Sequence, residues 1–179
     1  CLEAGVGLDL VGDTSITTEP DYLEKCKHAA EKTSPGWDVE KRGKQIRIIG
    51  GVSRAETVRW YSQALALIHP IRDFREPFGL APVECQACGT PVIAWNRGAM
   101  RETITVGEHE YGVCTCWFVT SEKVLTDTIK MLASSENGGK SIVESMKSGC
   151  ISWSKRFSVE IMVKRYDELC REAVETGGW

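Results

Sequence analysis

Arg75-Glu76-Pro77-Phe78-Gly79-Leu80-Ala81-Pro82-Val83-Glu84, running on into Cys85-Gln86-Ala87-Cys88-Gly89-Thr90-Pro91-Val92-Ile93-Ala94, reads as a loop, a short helix and a buried strand. The apolar run Ala64-Leu65-Ala66-Leu67-Ile68 before it reads as another buried strand. A strand–loop–helix–strand unit puts this loop at the carboxyl edge of a parallel sheet, where open α/β sheets bind ligands. Gly79 lacks a side chain, so a ligand can approach its backbone closely. Pro82 suits a first helical turn, and the unpaired N–H groups of such a turn favour an anion such as phosphate. Glu84 is expected in the same turn, where its carboxylate can accept hydrogen bonds from two neighbouring hydroxyls, as on a ribose. Glu76, eight residues earlier, can meet a second polar group of the same ligand. Spacing alone leaves the alternatives open: Glu84 easing the helix dipole, and Glu76 as a solvated loop charge.

Outward from this stretch, strand and helix patterns alternate. Val6 to Val11 reads as a strand followed by Gly12-Asp13, where a glycine again allows close backbone approach or simply makes a turn. Pro20 to Lys32 reads as a helix ended by Ser34-Pro35-Gly36, with a charged connection from Trp37 to Lys44. Ile46 to Ile49 reads as a short buried strand, then Gly50-Gly51-Val52, then a helix opened by Ser53 and Glu56 as a capping box. His69-Pro70 leads a loop with Arg72, Asp73, Phe74 and Arg75; a structural His69 is preferred to a general base. Val92 to Trp95 reads as a strand, Met100 to Thr105 as a helix, Gly112 to Phe118 as the last strand, and Ser121 to Leu132 as an amphipathic helix. A break at Asn137-Gly138-Gly139 precedes a helix from Ser141 to Lys147 that Gly149 ends. The closing helix, 158–174, carries a stripe of Met162, Tyr166, Leu169, Cys170 and Ala173, and Trp153 and Phe157 ahead of it read as core. This order predicts an α/β fold, a Rossmann-like parallel sheet flanked by helices, in a single domain over 1–179.

Composition narrows the function classes. The 179 residues suffice for one core, and the net charge of −3 implies no broad basic surface for nucleic acid. No apolar run reaches the length of a membrane span. The start Cys1-Leu2-Glu3-Ala4-Gly5 shows no signal peptide and suggests a piece of a longer chain, with Leu2 to Gly5 as the tail of a helix. The eight cysteines are too dilute for a disulfide scaffold. A zinc site from Cys85, Cys88, Cys114 and Cys116 can be drawn, but buried free thiols are the better reading.

Glu76-Pro77-Phe78-Gly79-Leu80, then Glu84, then Ala87-Cys88-Gly89-Thr90-Pro91-Val92, resembles the E-x7-E signature of retaining glycosyltransferases of family 4 with the GT-B fold. The resemblance implies the C-terminal half of that fold, lacking its first strand and helix. It implies a nucleotide-diphosphate-sugar donor, with Glu84 on the ribose and Glu76 as the catalytic-site residue near the transferred sugar. The backbone of Gly79, Leu80 and Ala81 would face the phosphates or the sugar, with Phe78 in the same site. Gly51 and Val52 would hold the base, and Gly12 would complete the donor site. Pro82 departs from the pattern by removing one N–H donor, and Arg97 makes the loop at 96–99 a poor match to the family's small-residue loop. In the family, the aromatic segment at Trp153 and Phe157 precedes a closing helix that crosses toward the other domain.

The same resemblance implies partners outside this stretch. One is an N-terminal acceptor domain. Another is a central strand whose absence exposes unpaired sheet edges and invites self-association across the incomplete sheet. The arginine and lysine that usually grip the donor phosphates would lie with that strand. No D-x-D pair is present, so no metal cofactor is expected. A cytoplasmic location is expected, with peripheral membrane association as an option for the longer enzyme. The alternatives are a nucleotide-sugar epimerase or glycogen-type synthase fragment, or a non-catalytic nucleotide-binding module.

Overall fold

The structure is a computed structural model that describes residues 1, 3–13, 20–33, 45–72, 75–107, 113–134 and 138–177. Leu2, the helix stop at Ser34-Pro35-Gly36, the connection from Trp37 to Lys44, Asp73, Phe74, Gly112 and Asn137 lie outside the described residues.

Strand β1 (Leu8–Val11) is followed by helix α1 (Pro20–Thr33), β2 (Ile46–Gly50), α2 (Arg54–Gln63), β3 (Leu67–His69) and α3 (Leu80–Ala87). Then come β4 (Val92–Trp95), α4 (Met100–Thr103), β5 (Cys116–Val119), α5 (Glu122–Ala133), α6 (Gly139–Ser154), a 3-10 turn (Lys155–Phe157) and α7 (Val159–Thr176). Every strand pairing is parallel, as alternating strands and helices require. The expected single sheet is divided, however: β1 pairs with β2, and β3–β4–β5 form a separate three-stranded sheet.

β4 is the centre of the larger sheet, and its side chains alternate between two cores. Val92 and Ala94 pack with Met100, Ile104 and Cys116 on one face. Ile93 packs with Val119, Ile129 and Leu132 on the other, joined by partly buried Cys1, Ala4, Val6 and Ile68. Both faces are thus covered, as parallel sheets demand.

The boundaries that differ from expectation have local causes. The run expected as a strand at 64–68 begins its ladder only at Leu67, because Ala64 still caps α2, its N–H donating to Tyr61 O at 3.1 Å. The last strand begins at Cys116 rather than 112, because Cys114 and Thr115 are held by another segment. Cys114 bridges Val106, and the Thr115 N–H donates to Thr105 O at 2.7 Å. The helix expected to stop at Gly149 runs on to Ser154. Gly149 is a packing glycine there: a Cβ would stand 2.6 Å from Cγ1 of Val113. The helix at 100–105 closes at Thr103, and the strand at 6–11 starts at Leu8.

A buried polar knot ties three helices together. Gln86, 0% exposed, donates from Nε2 to Thr103 O at 2.9 Å and to Pro82 O at 3.1 Å. The indole of Trp153, buried as expected, donates to the same Thr103 carbonyl at 3.0 Å. A buried carbonyl with two lone pairs is thereby satisfied twice. Beyond this knot, α7 is started by Ser158, whose side chain accepts from the Ile161 N–H. Its apolar stripe is exposed rather than packed: Met162, Tyr166 and Leu169 all stand in solvent.

Candidate functional site

The loop 75–79 and α3 lie at the carboxyl edge of β3, where the sheet topology places a ligand. Glu76 is largely enclosed. Its Oε1 accepts from the Gly79 N–H at 3.1 Å, and its Oε2 lies 3.9 Å from Nε2 of His69. His69 is partly buried at the end of β3, its enclosed Nε2 has no hydrogen-bond partner among the described residues, and burial pushes its pKa below the ordinary 6.5, against a smaller opposing effect of Glu76. The loop at 96–99 supports Glu76 from behind: the Ala99 N–H donates to Glu76 O at 3.0 Å. Gly98 packs so tightly there that a Cβ would stand 2.6 Å from the same oxygen.

Gly79 is the N-cap of α3 with φ 84, a left-handed conformation that favours glycine. Its side-chain direction is already filled: a Cβ would meet Met100 Cε at 2.4 Å. Backbone conformation and internal packing therefore each call for a glycine at this position. Open space lies elsewhere. Among the described residues, a Cβ on Gly12 would meet nothing within 4 Å, and one on Gly51 would meet only Asp13 Cα at 4.0 Å. Val52 is half-buried beside it. The N–H groups of Leu80 and Ala81 fall in the first turn of α3, where a helix supplies no carbonyl partner, and Pro82 contributes none. Phe78 is half-exposed and packs edge-on against Phe157, centroids 5.7 Å apart, linking the loop to the turn before α7.

Glu84 is the fifth residue of α3, just beyond the first turn rather than in it as expected. The helix-dipole benefit falls off within that turn, so the dipole gives little account of this carboxylate. Its side chain is 32% exposed, and Oε1 accepts from Nη1 of Arg54 at 2.9 Å. Arg54, Thr57, Val58, Tyr61, Ala87 and Cys88 join Glu84 around a cleft of about 120 Å³ between α2 and α3. Burial pushes the Tyr61 phenol there up to about 12.

Residues 37–148 match the family model described as Glycosyl transferases group 1. The chain belongs to that family. Among curated relatives, the D-inositol 3-phosphate glycosyltransferase 1 of Catenulispora acidiphila is 38% identical over 65 residues, 36% of this chain and 15% of the relative. The lipopolysaccharide core biosynthesis mannosyltransferase LpsB of Rhizobium meliloti is 28% identical over 122 residues, 68% of this chain and 33% of the relative. Among solved structures, Anabaena HepE in complex with UDP superposes with a TM-score of 0.67 at 21% identity, over 93% of this chain and 41% of HepE. The sucrose-phosphate synthase of Thermosynechococcus elongatus superposes with a TM-score of 0.66 at 20% identity, over 94% of this chain and 39% of the synthase. The chain thus spans less than half the length of each of these proteins.

In this group 1 glycosyl transferase, the site residues read from sequence come from both sheets. Gly12, Gly51 and Val52 follow β1 and β2, while Glu76, Phe78, Gly79, Leu80, Ala81 and Glu84 follow β3. Arg54, Met100 and Gly98 were not legible as site residues. Arg54 meets Glu84 across a sequence separation of 30, and no local pattern announces such a pair. Gly98 did carry a signal, as the glycine of a turn between strand and helix. The cysteines are free, and among the described residues no group of three His, Cys, Asp or Glu side chains is placed to hold a metal. Cys85 and Cys116 are buried, which pushes both thiols up and keeps them protonated. No helix among the described residues is long and apolar enough to cross a membrane.

Proposed function

We propose that this chain is the donor-binding domain of a retaining, family 4 glycosyltransferase that takes a nucleotide-diphosphate sugar. The observation that carries the reading is the separation of roles between the two glutamates. Glu84, 32% exposed, lines a cleft with Oε2 unbonded among the described residues. Glu76 is held in place by the Gly79 N–H and the loop behind it. A partly exposed carboxylate with a free oxygen suits ribose hydroxyls; one fixed by its own loop suits a positioned contact to the sugar. Open backbone at Gly12 and Gly51 supports a base and phosphates approaching from the other sheet.

The proposed chemistry breaks the bond between the sugar's anomeric carbon and the diphosphate oxygen. A bond to the acceptor oxygen forms on the same face, and the acceptor's proton is released. The domain's share is positioning and stabilisation of the diphosphate as it departs. Leu80 and Ala81 N–H groups would serve that charge, and no metal enters the proposal. The acceptor would bind on a domain outside this chain, and the exposed stripe of α7 gives such a domain an apolar surface to cover.

Titration calorimetry with UDP, GDP and ADP and their glucose conjugates tests this. Glu84→Ala is expected to weaken the preferred free nucleotide by ~1.5–3 kcal/mol, the worth of hydrogen bonds to a charged group. Glu76→Ala is expected to spare the free nucleotide and weaken the sugar conjugate. Equal losses for both ligands in E76A would remove Glu76 from the sugar site.

A further inference from the structure

Arg54 is oddly placed for an arginine. It is the first residue of α2, where the helix dipole disfavours a cation. The cap does not need it: the Ser53 side chain accepts from the Glu56 N–H, and the Glu56 carboxylate accepts from both the N–H and the hydroxyl of Ser53. The arginine side chain is 83% exposed, so packing does not hold it either. What it does is reach from the helix after β2 to the helix after β3 and bond one oxygen of Glu84. That contact is monodentate. A carboxylate offers about four acceptor positions, so one donor on Oε1 leaves Oε2 and the outer lone pair of Oε1 in use for other partners.

We propose that Arg54 is a positioning residue of the donor site, fixing the Glu84 carboxylate so that its remaining lone pairs accept both hydroxyls of a ribose. This rests on the donor-site reading above and adds to it a residue from the helix that follows β2. An unbraced glutamate side chain divides its time among rotamers, and freezing it costs entropy at the moment of binding. A guanidinium already bonded to one oxygen removes part of that cost, because its planar fork is pre-organised. The brace acts only through Glu84, so its effect must vanish when either the carboxylate or the ribose hydroxyls are removed.

The test uses the purified chain and its R54A, R54K, E84A and R54A/E84A variants, each checked for an unchanged melting profile. The probes are the tightest-binding of UDP, GDP and ADP and its 2′,3′-dideoxy counterpart. R54A is expected to weaken the natural nucleotide about three- to tenfold and leave the dideoxy form unchanged. R54K, which keeps a donor, should recover part of the loss, and R54A should add nothing in the E84A background. Equal weakening of both probes would overturn the proposal by placing Arg54 on the base or the diphosphate. Unchanged or tighter binding in R54A would overturn it as well, leaving a surface ion pair. If E84A does not alter the parent's preference for the natural ribose, Glu84 is not the ribose acceptor and the underlying reading falls with the brace. If none of the three nucleotides binds the parent, the donor-site reading itself is wrong.

Discussion

His69 shows how a single buried group sets a pH dependence. Its imidazole is partly buried at the end of β3, with Nε2 unpartnered among the described residues, and burial lowers its pKa below 6.5. In the unfolded chain the ring protonates as pH falls through about 6.5, while in the folded chain it stays neutral to a lower pH. Between those two values the unfolded state binds more protons, so stability declines as pH falls, by at most about 1.4 kcal/mol per pH unit. Above 6.5 both states are neutral and the effect is absent. His69→Gln should flatten this part of the profile: urea midpoints of parent and variant measured from pH 7.5 to 5.0 should converge toward the acid end. Parallel curves would mean that His69 protonates freely in the fold. The sequence pointed to a structural histidine here because it ends a strand, but its contact with Glu76 depends on how the loop folds back. Gly79 teaches the complementary lesson. A glycine was legible, but its internal reason was not, because the Met100 methyl that fills its side-chain direction comes from a helix about 20 residues away.

At the scale of elements, the Ser53–Glu56 cap of α2 was legible because capping chemistry is local. The edges of β3 and β5 were not, because they depend on what the preceding residues bond: Ala64 closes α2, and Thr115 pairs with Thr105. Gly149 failed for the same kind of reason. A helix-breaking residue was read as a stop, although its absent side chain makes room for Val113 against α6. The turn at 96–99 allows a direct test of such packing. Gly98 has φ 56, and a Cβ there would lie 2.6 Å from Glu76 O and 2.9 Å from Glu76 N. Both obstacles are backbone atoms, so the Glu76 loop itself must move. Gly98→Ala is expected to cost ~2 kcal/mol or more in urea unfolding, from left-handed strain and displacement together. Gly12→Ala, whose Cβ would meet nothing within 4 Å among the described residues, should stay within ~0.5 kcal/mol of the parent. Similar losses at the two positions would show that the loop at 96–99 does not brace Glu76.

For the molecule as a whole, the decisive feature is the seam between the two-stranded and three-stranded sheets. Parallel strands follow from the sequence pattern, but that β1 does not pair with β3 is a matter of long-range register that no local motif encodes. Across the seam, α2 meets α3 through the Arg54–Glu84 bond, and the Thr90 hydroxyl donates to Tyr61 O at 2.7 Å. The Arg54–Glu84 pair is a surface ion pair worth ~0–1 kcal/mol, so the seam rests mainly on Cys1, Ala4 and Val6, just ahead of β1, packed against the Ile93 core. A nucleotide that uses Gly12 and Gly51 on one side and Glu84 on the other would join them. At a concentration of about 100 times its Kd it adds ~2.7 kcal/mol to whatever unit it binds. Amide hydrogen exchange on the chain with saturating UDP, GDP or ADP should therefore slow in β1–β2 and in β3–β4–β5 by similar factors. Without nucleotide, β1–β2 should exchange faster, since its strands are less buried than β4. Protection confined to the three-stranded sheet would place the whole nucleotide on the Glu76–Glu84 loop, and Gly12, Gly51 and Val52 would leave the site.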